Sequence, residues 1–129
     1  KNQSTPSAPL KDKITKRNYE VIKTFTVQPT IVNIDIYDYG DVDGDTVMIF
    51  LNDQLLIPEK NLTKNPISLS IKLEVKGKTY DLIMFAKSEG KNPPNTASMV
   101  VTINNVREEF KISSTAKVSR AVRFIVNDK

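Results

Sequence analysis

Ile67-Ser68-Leu69-Ser70-Ile71-Lys72-Leu73-Glu74-Val75 decides the fold of this chain. Apolar and polar residues alternate through all nine positions, the period-two pattern of a β-strand with one dry and one wet face. The same period recurs outward in both directions. Upstream, Tyr19, Val21, Phe25 and Val27 form one such set, and Val32, Ile34 and Ile36 form a second. Val47, Ile49 and Leu51 form a third, but Met48 and Phe50 between them are also apolar, so both faces of that strand are expected to be covered. Downstream, Tyr80–Ala86 is almost wholly apolar, as befits a central strand. Met99, Val101 and Ile103, then Glu108, Phe110 and Ile112, then Val122, Phe124 and Val126 complete the series. No stretch carries a convincing helical period. The pattern predicts an all-β antiparallel β-sandwich of about eight strands, immunoglobulin- or fibronectin-III-like, over residues 17–129. Leu55–Ile57 is expected to add at most a short extra strand within the connection 52–66.

Turn chemistry punctuates these segments. Asn104-Asn105 suits a type I′ hairpin, because asparagine tolerates positive φ. Lys76-Gly77-Lys78 reads as a second hairpin turn. Between Asp35 and Asp45 lie five aspartates (Asp35, Asp38, Asp41, Asp43 and Asp45) with Gly40 and Gly44 among them. Asp43-Gly44 alone is a strong hairpin signal, and aspartate carboxylates satisfy backbone N–H groups in turns. The sharper reading is calcium, a hard cation that takes six to eight oxygens. An EF-hand does not fit: with Gly44 as the turn glycine, the first ligand falls on Tyr39 and the closing glutamate on Phe50. A different loop using Asp38, Asp41, Asp43 and Asp45 remains the calcium alternative. Between Thr24 and Glu59 there are seven acids and no base, so these carboxylates lack a counter-charge in their own segment.

Composition narrows the function. The 129 residues contain no cysteine and no histidine, which removes disulfides, thiolate metal sites, cysteine nucleophiles and the usual neutral-pH base. No phosphate-binding glycine loop and no nucleophile elbow is present. The acids cluster in one turn rather than facing each other across a cleft, so the expectation is a protein that is not an enzyme. No apolar run approaches the ~18 residues of a membrane helix. Net charge is +4, but residues 1–17 carry five bases and one acid, leaving 14 of each in the remainder. That distribution argues against nucleic acid as a partner. Residues 1–16, with Pro6 and Pro9 and no periodic apolar face, read as a disordered basic tether. Such a tether would join the domain to a membrane anchor or to another domain. The triplets at Asn2 and Asn61 match glycosylation sequons, which occur often by chance.

Two motifs carry a resemblance. Asp38-Tyr39-Gly40-Asp41-Val42-Asp43-Gly44-Asp45-Thr46-Val47 is followed, past a strand pair, by Glu89-Gly90-Lys91-Asn92-Pro93-Pro94-Asn95-Thr96-Ala97. In this order they resemble a group of uncharacterised secreted or lipid-anchored bacterial β-sandwich modules, over about Tyr19–Val126. Asp53-Gln54 departs from the pattern, which would place Gly-Lys or similar there. The resemblance implies a sandwich and an exported location: periplasm, outer surface or extracellular. It implies no activity.

The functional expectation is therefore a non-catalytic accessory or interaction module of the cell envelope or secreted fraction, with a protein or glycan partner. The alternatives are a carbohydrate-binding module and a calcium-stabilised adhesion module. Candidate contact residues are Tyr37, Tyr39, Asn92 and Asn95, with Tyr80 a further possible aromatic platform. The consecutive prolines make residues 88–95 a stiff crossover between sheets, or a preorganised rim for a partner. If every strand reverses direction, the acidic turn joins the turns at 76–79 and 104–105. The proline loop then joins those at 53–65 and 113–119, at the opposite end.

Overall fold

The structure, a computed structural model, describes residues 18–39, 45–88, 95–115 and 117–127. Nine strands run in chain order: β1 (Asn18–Val27), β2 (Thr30–Asp38), β3 (Thr46–Leu51), β4 (Gln54–Asn61), β5 (Ile67–Leu73), β6 (Thr79–Ser88), β7 (Asn95–Ile103), β8 (Val106–Ser114) and β9 (Val118–Val126). They form a five-stranded sheet, β1-β9-β6-β3-β4, and a four-stranded sheet, β5-β2-β7-β8. Among the described residues there is no helix. The fold is the all-β sandwich that the alternation predicts, with nine strands instead of about eight. All ladders are antiparallel except β1–β9, where the first and last strands run side by side in the same direction.

The core is the space between the sheets. From the four-stranded sheet come Val32, Ile34, Ile36, Ile71, Leu73, Met99 and Val101. Facing them are Val47, Ile49, Leu82, Met84, Val122 and Phe124. Each is one step of a period-two series, so the alternation becomes a continuous apolar layer. Leu62, between β4 and β5, is fully buried and closes one end of that layer. Tyr80 is buried too, at 6% exposure, so it is a core residue and not a platform.

Three local readings are corrected. First, β4 is a full eight-residue strand rather than a short one, paired with β3 from Leu51↔Gln54 to Thr46↔Asn61. Pro58 and the polar run Glu59-Lys60-Asn61 hide it in the sequence. An edge strand accommodates them, because its outer N–H groups need no ladder partner. The ladder is irregular on either side of Ile49↔Ile57, next to that proline. Second, neither the acidic turn nor Lys76-Gly77-Lys78 joins a hairpin: β2 and β3 lie in different sheets, and so do β5 and β6. Both segments carry the chain from one sheet to the other. Gly77 has φ 82°, and its N–H donates to the Val126 carbonyl at 2.7 Å, tying the crossover to the end of β9. The hairpins are β3–β4, through Asn52 with φ 53°, and β7–β8, through Asn104 and Asn105 with φ 50° and 68°. The last is the type I′ geometry expected of that pair.

Third, the extra strand reverses the parity of everything after it. The acidic segment and the proline loop lie at the same end of the sandwich, not at opposite ends. Asp38 pairs with Ala97, Tyr39 N–H donates to the Thr96 carbonyl at 3.4 Å, and Thr46 pairs with Ser88. The 62–66 connection and the 115–117 turn share that end. Residues 28–29, 52–53, 74–78 and 104–105 occupy the other.

This register is testable by crosslinking in a chain without native thiols. Tyr37 and Ser98 are directly paired on the outer face. Antiparallel partners lie about 4.5–5.5 Å apart at Cα, within disulfide range. The double variant Tyr37→Cys, Ser98→Cys is expected to oxidise to an intramolecular disulfide, read by mass spectrometry. A folded monomer that retains both thiols under oxidant would refute the pairing.

Candidate binding surface

The outer face of the four-stranded sheet is built from the polar half of each alternation. Along β2 it presents Asn33, Asp35 and Tyr37, with Tyr39 just beyond the strand. These side chains are fixed by cross-strand bonds, the unit by which a sheet surface is ordered. Ser68 Oγ donates to Asp35 Oδ1 at 2.5 Å, and Ser70 Oγ donates to Asn33 Oδ1 at 2.6 Å. The Tyr37 hydroxyl donates to Glu109 Oε2. Thr96 and Ser113 share a hydroxyl–hydroxyl bond of 2.8 Å across β7–β8. Lys111 Nζ sits 4.0 Å from the Tyr39 ring centroid, a cation–π contact at the rim.

The two tyrosines titrate in opposite senses. The bond to Glu109, then burial, raises Tyr37, because removing its proton would set an anion against a carboxylate. The Lys111 ammonium lowers Tyr39. Tyr37 is half-buried, while Tyr39 is 48% exposed. Both lie on one side of β2, in a row with Asp35 and Asn33. Lys111 stands over the Tyr39 ring, and the residue as a whole stays about half exposed.

The acidic segment is attached at both ends to the 62–63 backbone. Asp38 N–H donates to the Thr63 carbonyl at 2.8 Å, and Leu62 N–H donates to the Asp45 carbonyl at 2.9 Å. Asp38 and Asp45 are 2% and 3% exposed, so both carboxylates lie inside, on the opposite side of β2 from the tyrosines. The candidate metal residues and the candidate contact tyrosines thus belong to two different surfaces. Asp41, Asp43 and Asn92 lie outside the described residues. Asn95 is the first residue of β7, opposite Ser114. Among the described residues no group of three or more acids gathers to hold a metal ion. Beside this end an open groove of about 610 Å³ runs between β4 and the start of β5, lined by Thr46, Glu59, Lys60, Asn65 and Pro66.

A second constellation escaped the sequence reading. On the outer face of the five-stranded sheet, Arg123 grips Asp81 with both arms, Nε–Oδ1 at 2.8 Å and Nη2–Oδ2 at 3.0 Å. The Tyr19 hydroxyl donates to Asp81 Oδ2 at 2.7 Å. Asn52, at its positive φ, reads the Asp81 backbone: Asn52 N–H donates to Asp81 O at 2.8 Å, and Asp81 N–H donates to Asn52 Oδ1 at 2.9 Å. Burial pushes the Asp81 carboxyl up, but the bonds from Arg123 and Tyr19 outweigh it, and the group lies below its ordinary value of 3.8. Arg123 is raised in turn by the bond to Asp81, and Tyr19 is raised by burial and by the same carboxylate. The only sequence signal was a charge beside an apolar run, Asp81 before Leu82–Ala86 in β6 and Arg123 between Val122 and Phe124 in β9. Both carboxylate oxygens are occupied by donors, which makes this a clamp across β1, β9 and β6.

The chain matches no protein-family model, no curated protein and no solved structure. The functional reading therefore rests on the surfaces themselves.

The clamp has a pH signature. A depressed carboxyl contributes stability that is present above its unfolded pKa and disappears as pH falls through the folded value. Thermal stability is expected to drop below about pH 4 in the native chain, and Asp81→Asn should flatten that part of the profile. Arg123→Ala at pH 7 should cost about 2 kcal/mol, at the low end for a buried pair because the guanidinium is partly solvated. Denaturant unfolding of both variants across pH 2–7 checks this. A profile for Asp81→Asn that parallels the native one would remove the clamp's role.

Proposed function

We propose that the chain is a non-catalytic interaction module of the bacterial cell envelope or secreted fraction, binding through the outer face of its four-stranded sheet. The observation that carries this reading is the fixed row of Asn33, Asp35, Tyr37 and Tyr39, flanked by Glu109 and Lys111. Aromatic, amide and charged groups are held there by cross-strand bonds before any partner arrives, so little side-chain freedom is lost on contact. Asp81, a buried acid outside this face, is bonded to Arg123 and Tyr19, which fits a part in holding the sheet together. The resemblance of the acidic and proline motifs to exported modules supports the location, and residues 1–16 suit a tether to an anchor.

The partner is an envelope protein or a glycan. A sugar ring stacking on the exposed Tyr39, with hydroxyls reaching Asp35 and Asn33, is the carbohydrate-binding version. The test pairs a glycan array with a photo-crosslinking residue placed at position 39, or at position 75 as a control on the opposite end. An array signal that falls at least about fivefold with Tyr39→Ala identifies a glycan reader. Crosslinks to a discrete envelope protein from position 39 but not 75, without array signal, identify the accessory module. Neither signal on intact cells overturns the surface assignment.

A calcium-stabilised adhesion module is the second reading, favoured by the deep burial of Asp38 and Asp45 at the two ends of an acidic stretch. A hard cation held by Asp38, Asp41, Asp43 and Asp45 would bind the native chain and not the unfolded one. Calcium at ten times its Kd should then raise the melting temperature by about 3–6 °C, with Kd on the order of millimolar. Asp45→Asn should abolish the rise. A melting temperature indifferent to calcium disposes of this reading and leaves the first intact.

A further inference from the structure

The five-stranded sheet has a second apolar cluster, and it is on the outside. Met48, Phe50, Ile83, Phe85 and Ala121 form it, with Val21 and Leu55 at its borders. Their neighbours in sequence, Val47, Ile49, Leu82, Met84 and Val122, belong to the inter-sheet core, so these side chains point the opposite way. Register lines them up across all five strands: Val21↔Ala121, Ala121↔Ile83, Ile83↔Phe50 and Phe50↔Leu55, with Met48↔Phe85 alongside. The Phe50 and Phe85 rings lie 6.2 Å apart.

These residues are 4% exposed or less in the isolated chain. The other outer face gives the comparison. There only the short side chains Ser98 and Val100 are buried, between taller neighbours, while Tyr39 and Ile31 remain 48% and 50% exposed. On the five-stranded sheet the tallest side chains are themselves covered, which needs a further layer of atoms above them. All nine strands belong to the two facing sheets, so among the described residues no strand lies on that side. Tyr19 and Arg123 reach over Ala121 as far as Asp81 on β6, but Phe50 and Met48 are on the next strand.

We propose that the segment 1–17 of this chain is the cover, with Ile14 and Leu10 seated on the outer face of the five-stranded sheet. Length and attachment select it. The 40–44 and 89–94 segments are five and six residues long and must return to Asp45 and Asn95 at the same end. Residues 128–129 are two. The chain before Asn18 starts at the β1 edge, where Tyr19 and Val21 already face this side. Strands are spaced about 4.8 Å apart, so β6 is roughly 10 Å and β3 roughly 14 Å from β1. At about 3.4 Å per residue, Ile14 reaches β6 and Leu10 passes β3. Ile14 and Leu10 are the two large apolar side chains of the segment. In an extended run Lys11 and Lys13 point away from the sheet into water, and Asp12 is the one charge turned to the same side as Leu10 and Ile14. The tether is thus seated from about Leu10 onward, and only the residues before it act as a spacer.

The absence of cysteine makes the test direct. Met48→Cys should react with a maleimide at least about tenfold more slowly than Val75→Cys, which is 55% exposed, in the otherwise native chain. Adding Leu10→Asp and Ile14→Asp should remove that protection while circular dichroism stays that of a β-sheet protein. Deletion of 1–16 should do the same and should produce hydrophobic-dye binding. If the deleted chain does not fold, the full-length double-aspartate variant still decides. Rapid labelling of Met48→Cys in the native chain overturns the proposal. So does protection that survives the aspartates, which would assign the cover to another segment, or protection that disappears on dilution, which would assign it to a second copy.

Discussion

Strands β3 and β6 are apolar on both sides, and a sheet built around them has two surfaces to keep from water. The inner surface is answered by the four-stranded sheet, whose alternating Val32, Ile34, Ile36 and Met99 present one dry face and one wet one. The sandwich follows from that mismatch: one two-faced sheet and one single-faced sheet can pack in only one sense. The outer surface of the five-stranded sheet then has to be dealt with separately. The Tyr19–Asp81–Arg123 clamp is part of the solution, because it lays an aromatic ring and a guanidinium across β9 at a position where Ala121 leaves room.

The division between the sheets also separates chemistry. Charges on the four-stranded sheet are spread over a wet face in cross-strand pairs such as Tyr37–Glu109 and Ser68–Asp35. On the five-stranded sheet the charge is concentrated in one mutually neutralised cluster bordering an apolar row. The first face presents hydroxyl, amide and aromatic groups. The second offers a polar partner little beyond a carboxylate already occupied by three donors.

How far the sequence revealed this depends on which physical scale set each feature. Period-two burial is local, so β2, β5, β7 and β9 were legible residue by residue, and the double burial of β3 was visible in Val47–Phe50. Asn104-Asn105 was legible because positive φ is a property of those residues. β4 was not, because its pairing is imposed by β3 and tolerates Pro58 at an edge. Aspartate, glycine and lysine specify that the chain turns at 38–45 and 76–78 but not which sheet receives the next strand; that is decided by the facing surfaces. A hairpin and a crossover share the same turn chemistry. The Asp81 clamp, spanning 62 residues to Tyr19, left only a charge beside an apolar run in β6 and one of two arginines in β9.

One missed strand had consequences beyond itself. With eight strands, parity separates the acidic segment from the proline loop; with nine, it brings them together beside the 62–66 connection. Asp38, Tyr39, Asp45, Thr63 and Thr96 become neighbours through backbone bonds rather than residents of opposite ends. The two motifs that carry the resemblance therefore converge on one end of the sandwich, the end from which β1 also departs. Tyr37 and Tyr39 lie on its outer side and the buried Asp38 on its inner side, because successive residues of β2 face opposite ways. Any ordering of the interior acids therefore acts on the same short run of backbone that holds the exposed tyrosines. The exposed tyrosines at this end are coupled to the acidic segment by covalent geometry alone.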